Sequence, residues 1–280
     1  MSRERLPDLR VPHGDVPERQ HIWVRSVSPL AMAATVRGTI RGMGRRANPA
    51  FAGAVVAVPL LALAAAVVAP LEIHTYVHVM AGVLWTGTDL FMALVLGPVL
   101  GSLDVDERAS VFERFTPKTS FLLPTLATVT IASGILLVGR IPYLTLPAAW
   151  LALLTAGTLV PVAILVGWNL DAFDDRRWQV AAALAVLGSV AALALTLPEF
   201  EMASTPIALT VAIVTALSVL GFGVLMPGEV RIYQQMTSEN PDRELIGRIG
   251  LRNAKLAGVQ GVLQLSIVVV MVYLRYGGFG

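Results

Sequence analysis

The sequence predicts an all-α, polytopic membrane protein, a bundle of about seven transmembrane helices, and three observations lead to this prediction. Of the 280 residues, 55% are hydrophobic and only 14% are charged, whereas soluble domains carry about 25% charged residues. Apolar runs of the length needed to cross a bilayer, about 20 residues, recur along the chain. The basic residues are confined to alternate connecting segments. This composition excludes a disordered chain, a nucleic-acid-binding arm and an ordinary soluble enzyme.

Seven candidate spans follow a polar leader, so the predicted organisation is a leader over residues 1–48 and a bundle over residues 49–280. The spans are Phe51–Ala69, Ile73–Leu100, Phe121–Gly139, Ala148–Leu170, Trp178–Leu197, Ile207–Met226 and Leu256–Leu274. Prolines are expected at helix margins, and five are assigned there: Pro70, Pro147, Pro198, Pro206 and Pro227. The chain has no cysteine, which excludes iron–sulfur clusters, zinc–thiolate sites and covalently attached c-type haem.

The basic residues predict the orientation in the cell membrane. Of the 21 Lys and Arg residues, all but Arg140 and Arg275 lie in the leader or in the loops after the second, fourth and sixth spans. Cytoplasmic segments carry an excess of Lys and Arg. We therefore expect the N-terminus in the cytoplasm and the C-terminus outside.

One part of the leader has the periodicity of an amphipathic helix. Arg37, Arg41 and Arg45 recur every four residues, and the opposite face carries four apolar side chains: Met32, Val36, Ile40 and Met43. Such a helix would lie on the anionic lipid of the cytoplasmic leaflet. The alternative is a solvated, disordered tail.

Two pairs of spans are alike. The second span ends with Val95-Leu96-Gly97-Pro98 and the sixth with Val224-Leu225-Met226-Pro227. In the loops that follow, Asp104–Phe115 and Pro241–Ile249 both read as short surface helices. The likeness is either a parallel structural repeat or convergent loop chemistry.

The second span carries a polar stripe. A spacing of three or four residues keeps side chains on one helix face, and this face carries His74, His78, Gly82, Trp85, Asp89 and Met92. Side chains of this polarity within a membrane face the interior of a bundle. We therefore expect the stripe to point away from lipid.

Asp89 lies deep in the bilayer, about 25 Å below an outer boundary at Glu72 at about 1.5 Å per residue. A carboxylate at this depth is costly, so it is paired, protonated or exposed to a wet cavity. Its candidate partners are Thr86, Thr130, Gln260, Gln264 and Asn169. Asp89 is either functional or a hydrogen-bonded staple between helices.

The two histidines allow three interpretations. His74 and His78 could bind one copper or zinc ion from a single helix face. One of them could instead be an axial ligand of haem b. The third interpretation makes both of them interfacial residues that bind backbone or lipid headgroups.

The segment from His78 to Gly87, with the pattern H-x6-W-x-G through Trp85, resembles the first core helix of the copper-resistance D-type superfamily of membrane proteins. Further resemblance lies in Arg114-Phe115-Thr116-Pro117, in Leu122-Leu123-Pro124 with Ser133-Gly134, and in Val259-Gln260-Gly261 through Met271. It extends over about half of the chain. The resemblance implies a four-helix core and a haem b or copper site at His78. In the related haem-b oxidases a lysine on a later helix completes the haem site. In this chain the candidate lysines, Lys118 and Lys255, are predicted at the opposite end of the bundle from His78.

Three functions remain open at this stage. The first is a membrane redox or electron-transfer protein with haem b or copper at His78, assisted by His74 and Trp85, and with Asp89, Gln260 and Gln264 deeper in the bundle. The second is a copper permease with a relay of four ligands: His74, His78, Met80 and Met92. The third is a non-catalytic subunit that binds anionic lipid, a membrane protein partner or a second copy of itself.

Overall fold

The described part of the chain forms a bundle of eight helices. The computed structural model describes residues 29–142 and 144–277, and no strand occurs within these ranges. The helices are α1 Pro29–Ala47, α2 Pro49–Val68, α3 Leu71–Ser102, α4 Val105–Val138, α5 Ala148–Asn169, α6 Arg176–Glu199, α7 Thr205–Met236 and α8 Arg243–Tyr276. Within the described chain, α2 to α8 are the seven helices long and apolar enough to cross a membrane. The predicted fold class is confirmed.

Four of the helices, α3, α4, α7 and α8, form the core of the bundle. Helix α8 contacts the other three, and α3 and α4 contact each other along much of their length. At the centre lies a cluster of buried side chains: Trp85, Leu126, Ala127, Ile213, Leu217 and Val270. Helix α2 packs on α3 and α4, α5 packs on α7, and α6 packs mainly on α5. The peripheral helices therefore carry most of the lipid-facing surface.

Helices α4 and α8 are longer than the sequence predicts. Each has 34 residues, which corresponds to about 50 Å, while a bilayer core is about 30 Å thick. The segments Asp104–Phe115 and Pro241–Ile249 are largely helical, as predicted, but they are not short helices of their own, because they form the first turns of α4 and α8. The added turns pack together through a second apolar cluster: Leu100, Ala109, Phe112, Ile232, Met236, Ile246 and Ile249. This packing stabilises them outside the membrane core.

Helices α3 and α7 each contain one π turn, Met92–Leu96 and Gly221–Leu225. Each π turn ends two residues before a proline, Pro98 or Pro227. A proline inside an α-helix lacks an N–H and clashes with the preceding turn, and local π geometry accommodates it within a membrane bundle. The prediction that Pro227 ends its span is therefore wrong, since α7 continues to Met236.

Helix α1 joins the bundle at the end that carries the loops after α3, α5 and α7, which we call the arginine-rich end. It is linked to α2 by Asn48 alone, whose φ of 75° lies in the left-handed region that asparagine tolerates. Met43 and Ala47 are buried, while Arg41 and Arg45 are exposed. Helix α1 contacts α4 and α7 as well as α2, so it packs on protein along one face. The first 28 residues of the predicted leader lie outside the described residues.

Candidate functional site

The polar stripe of α3 points into the bundle. His74 and Asp89 are completely buried, and Trp85 and Met92 are nearly so. His78 is partly buried. Met80, which belongs to the proposed copper relay, lies on the surface of α3 with 37% of its area exposed. The i, i+4 spacing of the stripe therefore separates the buried polar groups from the lipid-facing side chains.

Asp89 is held by two glutamines of α8. Its Oδ2 accepts hydrogen bonds of 2.9 Å from Nε2 of Gln260 and from Nε2 of Gln264. Its Oδ1 and the two glutamine Oε1 atoms are buried and have no hydrogen-bond partner among the described residues. Asp89 thus pairs with two of its five candidate partners, and three oxygen acceptors remain unsatisfied around it.

The other candidate partners have different roles. The Thr130 hydroxyl donates to the Leu126 carbonyl, and the Asn169 side chain donates to the carbonyls of Leu165 and Gly223. In the latter contact, α5 supports the π turn of α7. These contacts leave Asp89 to the amides of α8.

A cavity of about 200 Å³ extends from Asp89 towards the arginine-rich end of the bundle. It lies between α4 and α7, with Trp85, Asp89 and Gln260 at its inner end. Most of its lining is apolar: Met92, Phe121, Leu123, Ala127, Leu217, Phe222, Leu225 and Ala257. Ile40 and Met43 of α1 border it at the other end. Asp89 therefore borders this cavity, although none of its own surface is exposed.

Glu229 is a second acid of this cavity, and the sequence analysis missed it. Its Oε1 accepts a hydrogen bond of 3.1 Å from Nδ2 of Asn253 on α8. The hydroxyls of Thr116 and Thr119 lie beside its carboxylate. Its Oε2 is buried without a hydrogen bond in the described chain. The sequence analysis placed Glu229 in a loop because it took Pro227 as the end of the span, whereas α7 continues to Met236.

The amide partners of both acids lie on one face of α8. Asn253, Gln260 and Gln264 follow a spacing of seven and four residues, which places them in one row. From Asn253 to Gln260 the helix rises about 10 Å. One face of α8 therefore holds two carboxylates that belong to different helices.

His78 is oriented by α4. Its Nδ1 lies 3.0 Å from the Thr130 carbonyl oxygen and 3.0 Å from the Ser133 hydroxyl. A carbonyl can only accept, so Nδ1 carries the proton and Nε2 has a free lone pair. Gly134 allows the close approach, because a Cβ atom there would lie 3.0 Å from Cε1 of His78. No described residue bonds to Nε2 of His78.

His74 is held by Arg140, a second residue whose role the sequence analysis missed. Nη1 of Arg140 lies 3.0 Å from Nδ1 of His74. A guanidinium can only donate, so Nδ1 of His74 is the acceptor and its proton lies on Nε2. Arg140 also donates to the carbonyls of Ala66 and Ala69 at the end of α2. His74 is thus part of a structural contact between α2, α3 and α4.

The proposed metal ligands are not gathered at one point. Within residues 29–142 and 144–277, no group of three or more His, Asp or Glu side chains could hold a metal ion. His74 and Met92 are 18 residues apart on α3, about 27 Å along its axis. Lys118 is exposed and donates to the Arg114 carbonyl on its own helix. Of the proposed ligands, His78 alone presents a free ring nitrogen.

The fold and the site define a polytopic helical membrane protein whose core contains a cavity bordered by two acids, Asp89 and Glu229. No protein-family model matches this chain, and no curated protein or solved structure is significantly similar to it. The resemblance to the copper-resistance D-type superfamily therefore stays a prediction.

Proposed function

We propose that this protein is a proton-handling membrane carrier in which Asp89 binds and releases a proton. The observation that carries this proposal is the burial of Asp89 among neutral amides. Asp89 makes no ion pair in the described parts of the chain. An ionisable side chain inside a membrane bundle most often belongs to a substrate, ion or proton pathway.

The two glutamines can hydrogen-bond to Asp89 in both protonation states. A side-chain amide has two donors and one acceptor. With Asp89 ionised, Gln260 and Gln264 both donate to it at 2.9 Å. With Asp89 protonated, rotation of one amide presents Oε1 to the new O–H donor. The cluster can therefore gain or lose a proton without a large change in packing.

The cavity borders Asp89 on one side. It reaches from Asp89 to Glu229 near the arginine-rich end, and the buried cluster around Trp85 closes the opposite side. We infer that the arginine-rich end faces the cytoplasm, because cytoplasmic loops concentrate Lys and Arg. Release to the other side then requires a movement of α3 or α4 that opens the Trp85 cluster.

Proton movement in vesicles tests this proposal. The purified full chain is reconstituted into liposomes that contain a pH-sensitive dye, and decay of an imposed pH gradient is followed. We expect Asp89→Asn, which keeps the shape of the side chain, to slow the decay to that of protein-free vesicles. Glu72→Gln, which removes an exposed acid from the same helix, is the matched control and should behave as the wild type. Equal rates for Asp89→Asn and the wild type would reject the proposal.

A redox role is a second candidate, and the orientation of His78 favours it. A histidine that binds a metal usually donates its other ring N–H to a carbonyl, and Nδ1 of His78 has this contact with Thr130. His78 is therefore the residue that could bind haem b or copper, whereas Arg140 occupies the acceptor nitrogen of His74. The group itself would supply the one-electron chemistry.

Absorption spectroscopy and metal analysis test this second candidate. The purified protein should show a Soret band or bound copper, and His78→Ala should lose it. His74→Ala should retain it, provided that the protein remains folded. Wild-type protein without haem or copper, even after incubation with either, would remove the candidate.

A further inference from the structure

We infer that the cavity binds a small organic monocation, with its ammonium group between Asp89 and Trp85 and its apolar body against Phe222. The inference rests on the proposed function and names the class of substrate that the proton carrier would exchange. Four features of the cavity lead to it: its lining, its volume, its charge and the position of its aromatic side chains.

The lining of the cavity is mostly apolar. Between Asp89 and Glu229 the cavity wall is formed largely by Met92, Phe121 and Leu225. An apolar wall of this kind suits a ligand with an apolar body.

The volume limits the size of the ligand. A cavity of 150 Å³ lined by apolar side chains holds benzene, and this cavity measures about 200 Å³. It therefore accommodates one ring with a short polar arm. A multi-ring compound would require the cavity to expand.

The charge selects a cation. The residues that line the cavity include Asp89 and Glu229 but no Lys, Arg or His. Oδ1 of Asp89 and Oε1 of Gln260 are buried acceptors without donors among the described residues. An ammonium group has three N–H donors and could satisfy both of these atoms. An anion would meet two carboxylates and is excluded.

The aromatic side chains support the same position. Trp85 precedes Asp89 by one helical turn on the same face of α3, and both line the cavity. A cation near the face of an indole ring is stabilised by the ring quadrupole. Charge pairing at Asp89 and contact with Trp85 therefore act on the same ammonium group.

Binding of the organic cation releases a proton from the site. When the ammonium group reaches protonated Asp89, the carboxyl O–H bond breaks and the proton leaves through the cavity. The carboxylate then pairs with the ammonium group. One positive charge enters the site and one leaves, so the net charge of the buried cluster is unchanged.

Binding of three matched compounds to the purified full chain tests the inference. Benzylammonium is the cationic probe, benzyl alcohol is the neutral match and benzoate is the anionic match. Calorimetry should detect benzylammonium alone, and a pH indicator in weak buffer should report proton release on binding. Equal binding of benzyl alcohol and benzylammonium, or no binding of either, would overturn the inference.

Variants locate the site. Asp89→Asn should abolish benzylammonium binding and the proton release, Trp85→Leu should weaken binding, and Glu72→Gln should change neither. Persistence of binding in Asp89→Asn would contradict the assignment. The vesicle assay is run both without amine and with benzylammonium on one side, and it reports proton movement separately from binding. Proton transfer without benzylammonium binding rejects this inference alone, whereas loss of both rejects the proposed function as well.

Discussion

Arg140 shows how one partly buried cation can join three helices at one end of a bundle. The last carbonyls of a helix have no intrahelical partner, and a cation at this end also interacts favourably with the helix dipole. Arg140 donates to the Ala69 carbonyl at 2.7 Å and, at 3.1 Å, to the Ala66 carbonyl, which also accepts from the Ala69 N–H. Its third contact, with His74, connects α3 to the end of α2.

We expect Arg140→Leu to destabilise the protein. The substitution leaves the Ala69 carbonyl and Nδ1 of His74 without a donor, and an unsatisfied buried polar group costs about 1–3 kcal/mol. Thermal unfolding in mild detergent should show a lower midpoint than for the wild type. Arg176→Leu is the control, because Arg176 is exposed and makes no side-chain hydrogen bond in the described chain. Equal midpoints for the two variants would contradict the structural role of Arg140.

Helix α8 approaches its neighbours through glycines. A Cβ atom at Gly261 would lie 2.7 Å from Cδ2 of Leu90 on α3, and one at Gly250 would overlap the Phe112 ring of α4. Small residues allow this close approach between membrane helices. The approach brings Gln260 and Gln264 within hydrogen-bond distance of Asp89. The acid site therefore depends on helix contacts outside it.

Gly250→Ala should destabilise the contact between α4 and α8. Overpacking of a close contact costs about 1–3 kcal/mol, and the expected loss should appear as a lower unfolding midpoint. Gly53→Ala is the matched control in α2, because its added methyl group would contact nothing within 4 Å. A second change, Phe112→Leu, should partly restore the stability of Gly250→Ala. Failure of the smaller side chain to restore any stability would show that the clash is not the cause.

The two π turns adjoin the two acids. Asp89 lies three residues before the turn Met92–Leu96, and Glu229 lies four residues after the turn Gly221–Leu225. Turns of this kind occur frequently at functional sites. The two helical hairpins are alike also in their aspartate caps, since Asp104 and Asp242 each accept an N–H bond of 2.8 Å. These shared features favour a structural repeat over convergent loop chemistry.

The orientation of the whole molecule is accessible to chemical labelling, because the chain has no cysteine. Asp174→Cys places one thiol in the exposed loop between α5 and α6, and Glu201→Cys places one between α6 and α7. From the distribution of Lys and Arg, we expect a membrane-impermeant maleimide to label Glu201→Cys in intact cells. Asp174→Cys should be labelled after permeabilisation only. The reverse pattern would place the arginine-rich end outside.

The number and order of the membrane helices could be read from the chain, because long apolar runs separated by charged loops leave few other arrangements in a bilayer. The boundaries of α5 were predicted to within one residue for this reason. The inward orientation of Asp89 and Trp85 was also predictable, since their spacing follows the period of the helix. The sequence offered five candidate partners for Asp89. The choice of Gln260 and Gln264 depends on the approach of α8 to α3 in the tertiary structure.

Burial that depends on residues far apart in the chain was not predictable. Charged residues are common in the turns at both ends of membrane helices, so the sequence indicates surface positions for Glu229 and Arg140. In the structure, Glu229 contacts α8 and Arg140 contacts the end of α2. The length of α4 and α8 likewise depends on a shared apolar cluster formed by four helices. Local periodicity assigns a side chain to a face of its own helix, but the contacts of that face arise from helix packing, which adjacent residues do not encode.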